Sequence, residues 1–335
     1  MLHKIVVWMG VVASAPAKVI LFGEHFVVYG APAIVLAIDK RAYAKTELRD
    51  DKRLYLRSVN LNLAGYFESG IFKTEQGIAK EAKLKFEPLK LAVEKVLEIH
   101  GENVGLNIEV NSTVPVAAGL GSSAAVAAAV TAAVGALLNV KMSKEDVFRI
   151  SFEAEKIVHG TPSGVDPAIS TFGGTLLFQM DTGFKPLDVK ADVPLVIGDT
   201  GVKRSTRVQV AKVRGLKDKY PRVMDPMMRA AREIVLRAID ALKEDDLETL
   251  GDLMNINHAM LCGLGVSDES LEWLINAARK AGALGAKLTG AGGGGCMIAL
   301  AENERLEQVL EAIQRVGGRA FIARKTDEGV RIERT

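Results

Sequence analysis

The sequence has little cysteine, few aromatic residues and almost no net charge. Only two cysteines, Cys262 and Cys296, occur in 335 residues, too few for a disulfide framework and without the spacing of a metal site. Their scarcity favours a reducing, cytoplasmic setting. The formal net charge is +2, and no basic run interleaved with aromatics occurs. We therefore expect no nucleic-acid partner.

Long apolar segments are scarce, and the two that occur do not suit a membrane. Residues 4–15 imitate a signal peptide, but cleavage there would remove an expected strand at residues 5–13. Met9 is a second candidate start. Residues 111–140 carry no charge, but their helical part would span only about 22 Å, short of the ~30 Å hydrocarbon core. We expect no membrane segment or membrane partner.

Length and pattern predict a two-domain α+β protein. A chain of 335 residues suggests two domains, which we place at residues 1–182 and 183–335. Hydrophobic residues make up 48% and charged residues 25%, as in soluble globular proteins. Strand-like and helix-like segments mix without strict alternation, which favours α+β over a doubly wound sheet.

The local patterns predict individual elements. Short apolar runs near Gly23 and Gly30 predict strands at residues 19–22, 26–29 and 34–38. Apolar periodicity predicts helices at residues 86–100, 124–138 and 225–242. A capping box that begins at Ser143 predicts a further helix, which ends at Gly160.

A glycine loop at residues 115–125 leads into the alanine-rich helix. The unpaired N–H groups and the macrodipole of a helix start attract anions, and glycine allows a phosphate close approach. A P-loop would need a lysine after the second glycine, and a dinucleotide fingerprint a third glycine where Ala124 stands. The segment predicts a different phosphate loop, or else a glycine turn that caps a buried helix.

Two polar groups stand out elsewhere. Lys18, Glu24 and His25 lie among apolar residues, and they form either a functional group or a loop ion pair beside a hydrogen-bonded histidine. Glu155 lies near the end of a predicted helix, where the dipole disfavours anions. It is either a solvated surface residue or a carboxylate beside a cation.

Asp166 lies in a loop stiffened by prolines and glycines. Pro167 follows it directly and biases it towards extended backbone. The carboxylate either caps a turn or is a deliberately placed functional group.

Together these segments resemble the GHMP kinase family. Its three motifs occur in order at residues 16–30, 114–125 and 287–296, and the resemblance covers nearly the whole chain. The first motif is most similar to that of members acting on mevalonate. Phe26 stands where galactose-specific members carry a sugar-binding aspartate, and His25 where phosphomevalonate-specific members typically carry tyrosine.

The resemblance implies a fold and a reaction. The fold would join an N-terminal domain like domain 2 of ribosomal protein S5 to a ferredoxin-like C-terminal domain, with the substrates in the cleft between them. The reaction would transfer the γ-phosphoryl group of ATP to the C5 hydroxyl of (R)-mevalonate, with Mg²⁺ as cofactor. Many relatives are homodimers, so a homodimer is expected.

The resemblance also implies catalytic and metal-binding roles. Asp166 would accept the proton of the hydroxyl or orient it, and Lys18 would stabilise the developing charge. Ser123 and Glu155 would hold Mg²⁺. The ATP-binding residues would be Pro115, Val116, Ala117, Ala118, Gly119, Leu120, Gly121, Ser122, Ser123, Ala124 and Ala125.

Mevalonate would be bound by Lys18, Glu24, His25, Asp166 and Arg204, the arginine holding its carboxylate bidentately. Thr206 and Ser163 are supporting candidates. The second glycine loop, residues 290–295, would close against the phosphates or the active-site loop, or else it is a tight crossing beside a strand.

Two other functions stay open. The first is another small-alcohol kinase of the same family, such as one acting on phosphomevalonate or on the 3-position of mevalonate. The second is a nucleotide-binding sensor that has lost catalysis. The presence of Lys18, Glu155 and Asp166 disfavours the sensor, and the failed fingerprint disfavours a dinucleotide-dependent oxidoreductase.

Overall fold

The computed structural model describes residues 10–114, 119–160, 162–189, 191–203 and 205–333, without the side chain of His159. Its strands are β1 Val11–Phe22, β2 Ala33–Arg49, β3 Leu54–Ser58, β4 Leu63–Glu68, β5 Ile71–Gln76, β6 Gly105–Ser112, β7 Thr175–Gln179, β8 Gly183–Pro186, β9 Leu195–Asp199, β10 Gly285–Leu288, β11 Cys296–Leu300, β12 Arg319–Ala323 and β13 Arg331–Ile332. Its α-helices are α1 Ala79–His100, α2 Ser122–Leu137, α3 Lys144–His159, α4 Val165–Phe172, α5 Thr206–Lys219, α6 Pro221–Glu244, α7 Leu247–Gly263, α8 Glu269–Lys280 and α9 Leu306–Arg315.

The first sheet carries the N-terminal motifs. Its strand order is β13-β1-β2-β6-β3-β4-β5, with β7 paired to β2 and β8 paired to β7. One core combines apolar residues of this sheet with buried faces of α1, α2 and α3. Ten residues of α2 are buried, most of them alanine, and their small size lets the helix lie close to β1 and β2.

The second sheet is antiparallel, with strand order β10-β11-β9-β12. Helices α8 and α9 share its core. Both sheets together confirm the α+β prediction, and the four antiparallel strands with their helices fit the ferredoxin-like part of it.

The chain passes between the two sheets twice. Strand β8 pairs with β7, and β13 pairs with β1, so segments at both ends of the predicted second domain belong to the first sheet. The proposed boundary between residues 182 and 183 falls at the turn of the β7–β8 hairpin. The division itself stays a prediction.

Several local predictions were wrong for identifiable reasons. Phe26–Tyr29 is a 3₁₀ helix rather than a strand, because so short an apolar run has no decisive period. Asp166 is not extended: it lies in the first turn of α4. Pro167 is tolerated in that turn because the N–H it lacks would have no helical partner.

Other elements were missed or only partly predicted. Helix α5 escaped notice because Val213 is its one buried residue, and α1 begins seven residues earlier than the predicted 86. The capping box of Ser143 and Asp146 is confirmed. Strand β1 begins at Val11, and residues 5–9 of the predicted first strand lie outside the described residues, as does Met9.

Within the described residues, no helix combines the length and apolar character needed to cross a membrane.

Two helical glycines give opposite predictions for the same substitution. A Cβ at Gly251 in α7 would lie 2.7 Å from the carbonyl carbon of Leu284, whereas a Cβ at Gly215 in α5 would meet no atom of the described residues within 4 Å. We expect Gly251→Ala to destabilise the protein by about 1–3 kcal/mol through overpacking. We expect Gly215→Ala to stabilise it by about 0.5–1 kcal/mol through backbone entropy. The urea-unfolding midpoints of the two variants measure both changes in stability. Equal shifts of the midpoint would contradict the close packing at Gly251.

Candidate active site

Lys18 and Asp166 come together although they are distant in sequence. Lys18 lies on β1 and Asp166 in the first turn of α4, and Lys18 Nζ is 3.1 Å from Asp166 Oδ1. The lysine side chain is 7% exposed and the aspartate side chain 27%. The carboxylate can therefore be reached by a ligand, while the ammonium group is nearly covered.

The phosphate loop crosses directly over this pair. The N–H of Lys18 donates to the carbonyl oxygen of Leu120 at 2.9 Å. A Cβ at Gly121 would lie 2.8 Å from Lys18 Cγ and 3.7 Å from Asp166 Oδ2, and Gly121 has a φ of +72°. Glycine is required here both by the left-handed backbone and by the close approach.

The same loop opens α2, which begins at Ser122. Among the described residues, no side chain caps this helix start, so its first N–H groups are available to an anion. Ser123 is exposed in the first turn, and Ala124 and Ala125 are buried. Of the predicted ATP-binding residues, Pro115, Val116, Ala117 and Ala118 lie outside the described part of the chain.

Glu155 is a buried carboxylate near the end of α3. It is 8% exposed, and its Oε2 has no hydrogen-bond partner among the described residues. Burial, then the negative charge of Asp166, raises the pKa of the Glu155 carboxyl to about 8, while Lys18 opposes the shift. Glu155 is thus close enough to the Lys18–Asp166 pair to sense both charges.

This arrangement fits a divalent cation. A buried carboxylate without a partner is costly, and a cation beside it would remove that cost. The predicted second ligand, the Ser123 hydroxyl, is exposed on α2, which packs against α3. A carboxylate and a hydroxyl, completed by phosphate oxygens and water, are oxygen ligands of the kind that Mg²⁺ prefers.

Glu24 was expected to contact the substrate directly, but its side chain is buried against another residue. Its side chain and that of Lys287 are both 0% exposed and form an ion pair. Lys287 Nζ also donates to the carbonyl oxygen of Leu288 at 2.9 Å. Burial raises the pKa of Glu24, opposed chiefly by Lys287. The pair joins the first motif to the third.

His25 and Thr289 strengthen the same junction. His25 Nε2 donates to the carbonyl oxygen of Ala291 at 2.8 Å, and His25 is a non-glycine residue with a φ of +58°. Thr289 Oγ1 accepts from the N–H of Ile20 at 3.1 Å and donates to its carbonyl oxygen at 2.9 Å. Sequence reasoning missed Lys287 and Thr289 as partners of the first motif, although both stood at the head of the second glycine loop.

The second glycine loop is tightly packed by protein. A Cβ at Gly292 would lie 2.1 Å from the carbonyl oxygen of Val266, and a Cβ at Gly293 2.1 Å from Gln209 Nε2. These glycines are explained by close crossing of the chain, which is the plainer of the two interpretations. Contact with phosphates stays a prediction.

The remaining substrate candidates are less defined. Arg204 lies outside the described residues. Thr206 is exposed at the start of α5. Ser163 Oγ accepts from the N–H of Val165 at 3.4 Å, at the start of α4.

The chain matches known protein families and named relatives. The family model described as the GHMP kinases N terminal domain matches residues 87–174, and the model described as GHMP kinases C terminal matches residues 238–319. The chain belongs to the GHMP kinase family. It is 44% identical to a mevalonate kinase of Pyrococcus horikoshii, covering 96% of this chain and 98% of that relative. It is 40% identical to a mevalonate kinase of Aeropyrum pernix, covering 96% of this chain and 98% of that relative.

Solved structures support the same family assignment. The L. major mevalonate kinase, solved in complex with R-mevalonate, superposes with a TM-score of 0.79 at 29% identity, covering 94% of this chain and 96% of that one. The Methanococcus jannaschii mevalonate kinase superposes with a TM-score of 0.80 at 26% identity, covering 96% of this chain and 100% of that one. This GHMP kinase therefore shares the whole two-part fold with both.

Glu155→Gln tests the cation site. The variant should raise the melting temperature of the metal-free protein, because a neutral amide replaces a buried carboxylate, and it should raise the Mg²⁺ concentration needed for activity. With the Glu155 pKa moved from 4.5 to about 8, the wild-type protein loses stability as pH rises across that window. The stabilisation by the variant should therefore grow over the same window.

The matched control is Glu153→Gln, on the same helix but 44% exposed and paired with Lys156. This control should leave the melting temperature of the metal-free protein and the Mg²⁺ requirement nearly unchanged. A Glu155→Gln variant with an unaltered Mg²⁺ requirement would remove Glu155 as a ligand.

Proposed function

We propose that this chain transfers the γ-phosphoryl group of ATP to the C5 hydroxyl of (R)-mevalonate, giving 5-phosphomevalonate and ADP. The observation that carries the proposal is the Lys18–Asp166 pair beneath Gly121, at the start of α2, which no described side chain caps. Mevalonate as substrate is supported by the named relatives and by the R-mevalonate in the L. major structure.

We assign the chemical steps of this reaction to particular groups of the site. The triphosphate would bind to backbone N–H groups of the phosphate loop and the first turn of α2. The hydroxyl oxygen forms a bond to the γ-phosphorus as the bond to the bridging oxygen of ADP breaks. The hydroxyl proton passes to Asp166, and the Lys18 ammonium stabilises negative charge on the transferring group.

Magnesium fits the residues around this pair. Ser123 and Glu155 would hold Mg²⁺, which when bound neutralises phosphate charge. The burial of Glu155 limits competition from water for its carboxylate.

Substrate recognition would come from the first motif and Arg204. His25 lies beside the second glycine loop, where it could donate to a mevalonate oxygen after a small rearrangement. Glu24 would act through its ion pair with Lys287, which holds His25 and the loop in place. Arg204 would bind the carboxylate of mevalonate.

We also propose a cytoplasmic homodimer. The low cysteine content supports the compartment, and the assembly is what the family resemblance leads us to expect. Light scattering during gel filtration measures the assembly, and a monomer mass at working concentration would reject it.

A panel of alcohols tests the substrate. ADP release should be fastest with (R)-mevalonate, compared with phosphomevalonate, galactose and homoserine, and phosphorus NMR should locate the new phosphate on C5. Faster release with phosphomevalonate, or a product phosphorylated at C3, would assign a different kinase of the family. Tight ATP binding without ADP release from any alcohol would favour a nucleotide sensor.

Asp166→Asn tests the catalytic pair. The amide can still accept a hydrogen bond but cannot take up the proton, so kcat should fall by about 100-fold or more while the Kd for ATP changes little. Asp252→Asn, at an exposed position of α7, is the control and should keep wild-type kcat. Near-normal turnover by Asp166→Asn would remove this residue as the base.

A further inference from the structure

Arg41 is a buried arginine that the proposed reaction does not use. It is 4% exposed. Its Nε donates to Ser14 Oγ at 2.7 Å, Nη2 to the carbonyl oxygens of Ser14 at 3.1 Å and Gly329 at 2.6 Å, and Nη1 to the carbonyl oxygen of Glu328 at 3.2 Å. A buried guanidinium is costly even when its donors are satisfied, so its presence calls for a reason beyond packing.

The backbone of Arg41 holds the start of the phosphate loop. Its N–H donates to Thr113 Oγ1 at 2.9 Å, and its carbonyl oxygen accepts from the N–H of Thr113 at 3.0 Å. Thr113 stands two residues before Pro115, where the predicted ATP-binding segment begins. Displacement of Arg41 would therefore move the base of that loop.

Arg41 also borders an irregularity in the pairing of β1 with β2. Pro16 pairs with Arg41, but Ala17 pairs with Ile38 and Lys18 with Ala37. Strand β2 thus has two extra residues, Asp39 and Lys40, between Ile38, the partner of Ala17, and Arg41, the partner of Pro16. Such bulges change the direction of neighbouring side chains and are common beside active sites.

Two acceptors of Arg41, the carbonyl oxygens of Glu328 and Gly329, belong to a segment at residues 326–333, which we call the strap. The N–H of Thr326 donates to the carbonyl oxygen of Ala37 at 3.0 Å, and the N–H of Ala37 donates to the carbonyl oxygen of Gly174 at 2.9 Å. The strap therefore contacts the cross-strand partner of Lys18 directly.

The strap also fixes the far end of α4. The N–H of Val330 donates to the carbonyl oxygen of Thr171 at 3.0 Å. A Cβ at Gly329 would lie 2.0 Å from that same oxygen. Because α4 is a short helix with Asp166 in its first turn, a shift at this contact would be transmitted to Asp166.

We propose that Arg41 is a positioning residue for catalysis. Through Ser14 it holds β1, through Thr113 the phosphate loop, and through Glu328 and Gly329 the strap that fixes α4. It thereby sets the distance between Lys18 and Asp166 and their alignment with the phosphate. This role deepens the proposed function and rests on it.

Kinetics of two independent variants test the role. Arg41→Met removes the donors, and Gly329→Ala pushes the strap away from Thr171. Each should lower kcat by about tenfold or more, because small misplacements of reacting groups are costly, while KM for ATP and mevalonate stays within about twofold. Arg41→Lys keeps the charge but not the fork of donors, so its kcat should be intermediate.

Glu328→Ala is the matched control. It keeps the backbone carbonyl that Arg41 uses and removes only an exposed side chain paired with Arg331, so kcat should stay at the wild-type value. Rates are expressed per nucleotide-binding site, measured by calorimetry. Wild-type kcat per site in Arg41→Met and Gly329→Ala, with only a lower melting temperature, would overturn the proposal.

Hydrogen exchange separates this proposal from the proposed function. Amides at residues 113–114, 119–125 and 165–174 should exchange faster in Arg41→Met than in the wild type, and at the wild-type rate in Glu328→Ala. Unchanged exchange in Arg41→Met would reject the positioning role whatever the substrate is. A wild-type protein that fails to phosphorylate mevalonate would reject only the proposed function.

Discussion

The contact between the Lys18 ammonium and the Asp166 carboxylate is the interaction around which this structure is arranged. One group comes from the middle of a long strand and the other from the first turn of a short helix, and Gly121 covers both. Two opposite charges at 3.1 Å attract strongly only where water is partly excluded. The sheet, α4 and the phosphate loop together provide that exclusion while leaving the carboxylate accessible.

Glu155 gives the site an unbalanced charge. In the described residues it adds a second carboxylate near a single lysine, and its raised pKa reflects its burial first and the charge of Asp166 second. A protein fold gains nothing from such an arrangement by itself. The same charge becomes favourable when a cation and a triphosphate bind, because each neutralises part of the other. The stability of the empty site and the affinity of the loaded one are therefore opposed.

The two glycine-rich motifs have different physical reasons for their glycines. In the first, Gly121 permits a left-handed turn against Lys18 at the start of a helix. In the second, Gly292 and Gly293 permit backbone and side chains of the C-terminal half to cross closely. The N-terminal motif, at residues 16–30, is fixed to β10 by the buried Glu24–Lys287 ion pair and by the hydroxyl of Thr289, which follows that strand. Breaking such a pair would leave a buried charge unpaired, so it specifies how the two halves meet.

The sequence alone determined the α+β class, the helix at the alanine-rich run, the capping box at Ser143 and the family resemblance. It also singled out Lys18, Glu155 and Asp166, because charged residues among glycines, prolines and apolar residues are locally conspicuous. Only the tertiary structure decided that Lys18 contacts Asp166, that Glu24 is buried against Lys287 and that Arg41 connects β1 with the strap. Periodicity and capping act over a few residues along the chain, whereas the contacts of Lys18 with Asp166, of Glu24 with Lys287 and of Arg41 with the strap join residues more than a hundred positions apart. Their geometry depends on strand register, bulges and helix packing, which local sequence does not encode.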